Sequence, residues 1–295
     1  MQSILSSDRF VKIEPIKRGW SNEDKYSMID KSGTQYFLKV FSTSQYEKCK
    51  TLFDMLEQLK ELDIPMCAPI EFDTCAEGVY MLYNWVDGKD LGQALPVLPK
   101  DEQYTLGLAA GRALKKIHTL PAPATQEDWA ARFNRKTENK IKVYHECGLK
   151  FEGDTHVLEF LRNNQHLLDN RPQCFNHGDY HVGNMMYHKD TLVIIDFDRY
   201  DFGDPWEEFN RIVWCAEASP HFASGRLHGY FDGEPPLEFF GLMAFYIVSN
   251  TLSSLPWSIP FGQVEIDTAM NQAKQVLKWF DNMRSPVPSW YIKLH

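Results

Sequence analysis

The chain has 295 residues, 43% hydrophobic and 14% aromatic, with 31 Lys and Arg against 40 Asp and Glu for a formal net charge of −9. That apolar content fills a substantial core and excludes general disorder, while the acidic balance excludes broad binding to a nucleic-acid backbone, which needs a basic footprint. The six cysteines form no C-x-x-C pair, no charged segment followed by an apolar one opens the chain, and the most apolar run, Phe239 to Val248, is about half a membrane span. The expected protein is cytoplasmic, with reduced thiols and neither a membrane nor a nucleic-acid partner.

Strand-like patterns come first. Val11–Ile16, Lys25–Ile29 and Tyr36–Phe41 are short runs separated by Lys17-Arg18-Gly19-Trp20-Ser21-Asn22 and by Asp30-Lys31-Ser32-Gly33, which predicts an antiparallel meander. Leu52, Met55, Leu56, Leu59 and Leu62 then fall at helical spacing, and Pro65 and Pro69 end that geometry. Val79–Trp85 reads as a further strand running into a hinge over residues 84–90.

Helices dominate afterwards. Ala110, Leu114 and Ile117 mark one that closes at His118, and Val157–Leu168, Trp206–Ala218, Leu237–Leu252 and Glu265–Met283 suit others. Between them lies a strand-like unit, Phe175–Tyr187 with Leu192–Phe197. The pattern predicts an α+β fold of two lobes, residues 1–86 rich in sheet and residues 87–295 mostly helical, with a ligand cleft between them.

The chemistry concentrates in Asn176-His177-Gly178-Asp179-Tyr180-His181-Val182-Gly183-Asn184, followed by Ile195-Asp196-Phe197-Asp198. Asp179 and Asn184 share a glycine-containing loop, and an apolar run delivers Asp196 at a strand end. Asp196 and Asp198 alternate about Phe197, so an extended chain turns both acids to one side. One carboxylate to orient a hydroxyl, and a carboxylate with an amide oxygen for Mg²⁺, are the groups that phosphoryl transfer needs. A structural loop in which Asx side chains only bond amides is the plainer alternative for any one of these residues.

This arrangement resembles the H-G-D-x-x-x-x-N and I-D-F/W-D/E motifs of the aminoglycoside phosphotransferase and choline kinase-like family, matched over His177–Asn184 and at Asp196. The resemblance implies a two-lobed protein-kinase-like fold and ATP- or GTP-dependent, Mg²⁺-requiring phosphorylation of a small molecule. It implies Asp179 as the catalytic base and Asn184 and Asp196 as metal ligands. Ser21, in Gly19-Trp20-Ser21-Asn22, would contact the phosphates, and Lys39 matches the family's lysine on the third strand. The main chain of Trp85 and Val86 would bond the base, with Tyr83 at the back of the nucleotide pocket. In Gly203-Asp204-Pro205-Trp206-Glu207-Glu208-Phe209, Glu208 takes the place of an acid that supports the catalytic loop.

The chain departs from the family at the helix acid that usually pairs with the lysine. The expected position is Leu52, with Glu47, Asp54 and Glu57 nearby. Either a shift lets Glu47 or Glu57 serve, or Lys39 works without a helix partner. The departure keeps a nucleotide-binding module without catalysis as the alternative, and the lack of an A-P-E segment weakens a protein-kinase reading.

Residues 198–238 hold nine acids against three arginines, a net of −6. In the resembled family this region helps build the acceptor pocket, so an amine-bearing, cationic acceptor such as an aminoglycoside, an amino sugar or a choline-like alcohol is one reading and a solvated acidic surface the other. Trp206, Trp214, Phe222, Tyr230, Phe231, Trp257 and Trp290 are aromatic candidates for such a pocket.

Overall fold

The computed structural model describes residues 4–17 and 23–294; the Ser21 turn lies outside the described residues. In chain order, β1 (Phe10–Pro15), β2 (Asp24–Asp30) and β3 (Gln35–Phe41) are followed by α1 (Tyr46–Lys60), β4 (Pro69–Cys75), β5 (Gly78–Asn84) and β6 (Lys89–Asp90). The helices α2 (Leu91–Ala94), α3 (Lys100–Ile117), α4 (Trp129–Glu146) and α5 (Asp154–Asn163) come next. Short strands β7 (Cys174–Asn176), β8 (Met185–His188), β9 (Thr191–Ile194) and β10 (Asp201–Gly203) precede α6 (Ile212–Ala218), α7 (Pro220–Phe231), α8 (Leu237–Ser258) and α9 (Gln263–Trp279).

These elements form two compact units, one made of the chain up to Leu91 together with Asn184–Asp198, the other of Gly92–Gly183 and everything from Arg199 on. The sequence division at residue 87 placed 184–198 with the helical part; the contacts group that hairpin with the sheet-rich unit instead. Backbone pairing is the reason. β8 pairs with both β6 and β9, Ile194 N–H donates to Pro65 at 2.8 Å, and Cys67 N–H donates to Ile194 at 2.8 Å.

The first unit is built on a five-stranded antiparallel sheet in the order β1-β2-β3-β5-β4. Between β2 and β3 the Asp30 carboxylate accepts Ser32 N–H at 2.8 Å and Thr34 N–H at 3.0 Å, a turn closed by its own side chain. Met28, Leu38 and Leu82 are fully buried between strands, and α1 packs on β4 and β5 with Leu52, Leu56 and Leu59 inward. The sequence pattern missed β4. Its proline stands at the first strand residue, where no ladder hydrogen bond is lost, but its half-exposed, charged run lacks clean alternation.

In the second unit α3 and α7 approach almost backbone to backbone. A Cβ on Gly107 would stand 2.3 Å from the Phe222 carbonyl oxygen, and one on Gly225 would stand 2.4 Å from that of Tyr104. Only glycine fits such a crossing. The interior is α8, apolar on all sides and packed by α4, α5 and α9. By length and composition Leu237–Phe261 could cross a membrane, yet 72% of its apolar window is buried inside the protein, as in a core helix.

Helices α4 and α7 were not legible. α4 buries only Trp129, Phe133, Thr137 and Tyr144, a narrow stripe on a polar helix, while α7 carries two glycines and is helical through its packing on α3. The helix expected over Trp206–Ala218 is a tighter turn, Glu207–Arg211, that runs into α6. Likewise Val157–Leu168 is α5 followed by a separate turn, Gln165–Leu168.

Candidate active site

In the sheet-rich unit, β3 carries Lys39 opposite Met81 of β5, with only 4% of the residue exposed. Its Nζ donates to Asp196 Oδ1 at 2.7 Å and to Asp198 Oδ2 at 2.6 Å. Burial disfavours the ammonium, but the charges of Asp198 and Asp196 outweigh it and hold Lys39 protonated well above its ordinary range. None of the acids named on α1 takes part: Glu47 is exposed, Asp54 binds Lys50 and Glu57 binds Lys60, while Leu52, at the expected position, lies in the core. Of the two alternatives, the structure therefore shows Lys39 without a helix partner among the described residues, held by two carboxylates just after β9. An extended chain was the expected reason for both acids to share a side; Asp196 is instead left-handed, and both still reach Lys39.

Asp196 sits in a left-handed conformation, φ 66°, where the chain leaves β9. The turn leaves its side chain 41% exposed, whereas that of Asp198 is 17% exposed and Phe197 is buried beneath. Ile195 N–H donates to the Asn184 carbonyl at 3.0 Å, which sets the backbones of Asn184 and Asp196 side by side. A carboxylate and an amide oxygen are hard donors suited to Mg²⁺. Among the described residues no cluster of three His, Cys, Asp or Glu surrounds a metal position. An incomplete protein shell fits Mg²⁺, which is commonly held by one or two carboxylates together with substrate phosphates.

β5 ends at Asn84, and the main chain continues through the half-buried Trp85 and Val86. The Trp85 carbonyl accepts from the Asn84 side chain at 3.4 Å, and the Val86 main chain has no hydrogen-bond partner among the described residues. Tyr83 is buried and within electrostatic reach of Asp198 and Asp196; burial pushes its phenol well above the ordinary range.

The helical unit holds the loop that carries Asp179. His181 Nε2 lies 3.4 Å and Arg211 Nε 3.3 Å from Asp179 Oδ1, with Arg199 Nε 3.8 Å from Oδ2. Burial alone would raise this carboxyl, but the His181 hydrogen bond and the Arg211 and Arg199 charges hold it far below the usual carboxylate range. Beneath the loop, Glu208 is 1% exposed and accepts Gly178 N–H at 3.0 and 3.2 Å. Gly178 itself has φ 82°, and a Cβ there would stand 1.8 Å from the Arg199 carbonyl oxygen.

Arg226 of α7 is fully buried and donates to the carbonyls of Tyr180 at 2.8 Å and Glu208 at 3.1 Å. His181, two residues beyond Asp179, and Arg199, Arg211 and Arg226, which no fixed spacing ties to it, were not assigned these roles from sequence. The only cue for Arg226 is a lone cation within an apolar helix.

A cleft of about 620 Å³ opens in this unit, lined by Trp214, Glu217, Gln272, Gln275, Trp279 and Trp290 among others. The Trp214 ring lies 6.4 Å from that of His181, which ties the cleft to the Asp179 loop. Glu217 is its single carboxylate, and burial raises it above the ordinary value. The remaining acids of 198–238 are engaged elsewhere or stand apart. Asp204 binds Arg171 at 2.7 Å, Asp201 binds Arg132 at 3.2 Å, Asp232 binds Lys115 at 2.5 Å, and Glu234 takes Tyr291. Of the two readings of the acidic stretch, these pairings favour a largely neutralised or solvated surface, and the cleft itself is lined by aromatic and amide side chains with Glu217 as the acid. Of the aromatic candidates, Trp214 and Trp290 line it, whereas Phe222 is core and Trp257 is on the surface.

The model of the phosphotransferase enzyme family matches residues 12–240. No curated protein matches the sequence. Among solved structures, a choline/ethanolamine kinase family protein from Mesorhizobium loti superposes with a TM-score of 0.70 at 15% identity, covering 96% of this chain and 94% of that one. The gentamicin complex of APH(2'')-IIa gives 0.64 at 16% identity, covering 90% and 92%. The amicoumacin kinase hAmiN, in complex with AMP-PNP, Ca²⁺ and Ami, gives 0.63 at 16% identity, covering 94% and 90%. These likenesses show a shared kinase-like fold, and with the family model matched over most of its length the chain belongs to the phosphotransferase enzyme family.

Proposed function

We propose that this protein transfers the γ-phosphoryl group of ATP or GTP, with Mg²⁺, to a hydroxyl of a small amine-bearing molecule. The observation that carries the reading is Asp179, held ionised by His181, Arg211 and Arg199 on a loop whose Gly178 amide is bound by buried Glu208. A carboxylate so depressed is a weak proton acceptor. It serves by orienting the acceptor hydroxyl for in-line attack and takes the proton as the oxygen bonds to phosphorus.

Lys39, with Ser21 and the amides of its turn, would bind the phosphates, and the main chain at Trp85 and Val86 would receive the base. Asn184 and Asp196 would hold the metal, whose bound charge screens the phosphate oxygens. The free thiols of all six cysteines suit a reducing, cytoplasmic setting.

The cleft supports a finer reading of the acceptor. Trp214, Trp279 and Trp290 offer ring faces to a cation, Glu217 balances one positive charge, and Gln272 and Gln275 suit hydroxyls. Gln272 Nε2 and Trp290 Nε1 are buried donors without partners, which favours a ligand rich in acceptor oxygens. This chemistry fits an acceptor with one ammonium group better than a polycation.

The test is to incubate the protein with ATP or GTP, Mg²⁺ and a panel of amino-alcohols, amino sugars, aminoglycosides and neutral sugars, following nucleoside diphosphate release and acceptor mass. Gain of one phosphate by a monoamine supports the whole reading. Preference for aminoglycosides would overturn its charge count, and binding of nucleotide with no transfer to any acceptor would favour a binding module.

A further inference from the structure

A buried ammonium needs a carboxylate that keeps it both charged and directed, since an unpaired charge in the interior is strongly destabilising. In the first unit α1 does not supply one. The α1 side chain within electrostatic reach of both Lys39 and Asp198 is Cys49, 3% exposed, an uncharged thiol pushed up to about 11 by burial first and by the Asp198 charge second. The helix thus presents a thiol near the lysine and turns its acids to solvent.

The two carboxylates that do bind Lys39 differ in kind. Asp196 is on an exposed turn in a left-handed conformation, its side chain 41% exposed. Asp198 points inward: Oδ2 is 2.6 Å from Lys39, and Oδ1 is buried without a hydrogen-bond partner among the described residues. Between them Phe197 is 4% exposed and fixes the turn in the core. Both carboxylates reach Lys39, at 2.7 and 2.6 Å, and Asp198 is the more buried of the two, which suits it to hold the ammonium.

We propose that Asp198 is the positioning residue for Lys39, standing in for the missing acid of the first helix. This rests on the reading of Lys39 as a phosphate-binding residue. The lysine and the metal-binding Asp196 are then set by one three-residue turn, Asp196-Phe197-Asp198.

The test is a double-mutant cycle of Asp198→Asn and Lys39→Met in the full chain, read as the dissociation constant of a fluorescent ATP analogue with Mg²⁺ and as kcat/KM for ATP. If Asp198 acts through Lys39, Asp198→Asn costs about tenfold in the native background and less than about twofold once Lys39 is gone. Equal losses in both backgrounds, or no loss in either, overturn the proposal. Adding Cys49→Glu to Asp198→Asn is expected to recover part of the loss, a rescue that a merely structural Asp198 would not allow. Should Asp198→Asn fail to fold, Asp198→Glu, which keeps the charge and changes its reach, runs the same cycle. A native protein that binds the nucleotide but phosphorylates nothing would sink the phosphotransfer reading, and the binding cycle would still decide the role of Asp198.

Discussion

Arg226 holds the main chain of the Asp179 loop one residue beyond that carboxylate, its Nη1 donating to the Tyr180 carbonyl at 2.8 Å. Its guanidinium also lies 4.7 Å from the ring centroids of Tyr180 and Phe209 and bonds the Glu208 carbonyl. One planar cation thus ties α7 to the loop and to the turn that carries Glu208.

Arg226→Met leaves buried carbonyls unpaired, at a cost of about 1–3 kcal/mol for each such group. We expect lower stability in urea denaturation and a fall in kcat that exceeds any change in KM for ATP. Arg226→Lys keeps the charge without the planar fork and should fall between the two. Unchanged kcat in a folded Arg226→Met protein would remove Arg226 from loop positioning.

The crossing of α3 and α7 makes a purely structural prediction. Gly107→Ala puts a methyl group 2.3 Å from a backbone oxygen that cannot yield without moving a helix. Overpacking of this kind costs about 1–3 kcal/mol, to be read as a lower denaturation midpoint. Gly33→Ala, where nothing lies within 4 Å of the added carbon, has no clash and loses only through its φ of 85°.

Lys140 of α4 sets a pH dependence of stability. Burial first, and the Lys136 charge second, push its ammonium down to about 7 from 10.5, and its Nζ has Ser249 Oγ at 3.3 Å. The unfolded chain keeps that proton to the ordinary value. Above about pH 7 the unfolded state therefore binds more protons than the folded one, and the contribution of Lys140 to stability rises with pH. Lys140→Met should melt above the native protein at pH 6, with the gap narrowing as pH climbs beyond 7. A gap independent of pH would contradict a depressed lysine.

Glu217 tests the charge count of the cleft. Glu217→Gln should raise KM for a cationic acceptor several-fold, leaving kcat and KM for ATP near their native values. A neutral acceptor should be little affected. An equal loss for charged and neutral acceptors would place Glu217 in structure, not recognition.

Much of the first unit was legible because its three strands are short apolar-containing runs bounded by turn residues, the one between β2 and β3 closed by the Asp30 side chain, and the His177–Asn184 and Ile195–Asp198 segments carry their motif residues close together in sequence. What stayed hidden is held by long-range contacts. Lys39 finds its partners 157 and 159 residues away, Arg226 reaches Tyr180 across 46, and α7 is helical through glycine packing that local propensity opposes. The acidic stretch after residue 198 left two readings open for the same reason, since Arg171, Arg132 and Lys115, which neutralise three of its acids, lie far away in sequence.

The most direct measurement is transfer of label from γ-labelled ATP to acceptor, compared in native protein and Asp179→Asn at equal nucleotide saturation. The expected result is label on an acceptor hydroxyl in the native protein and a loss of about 10²–10⁴-fold in the variant with nucleotide affinity retained. Near-native transfer by Asp179→Asn would contradict the role assigned to Asp179, and with it the site as described.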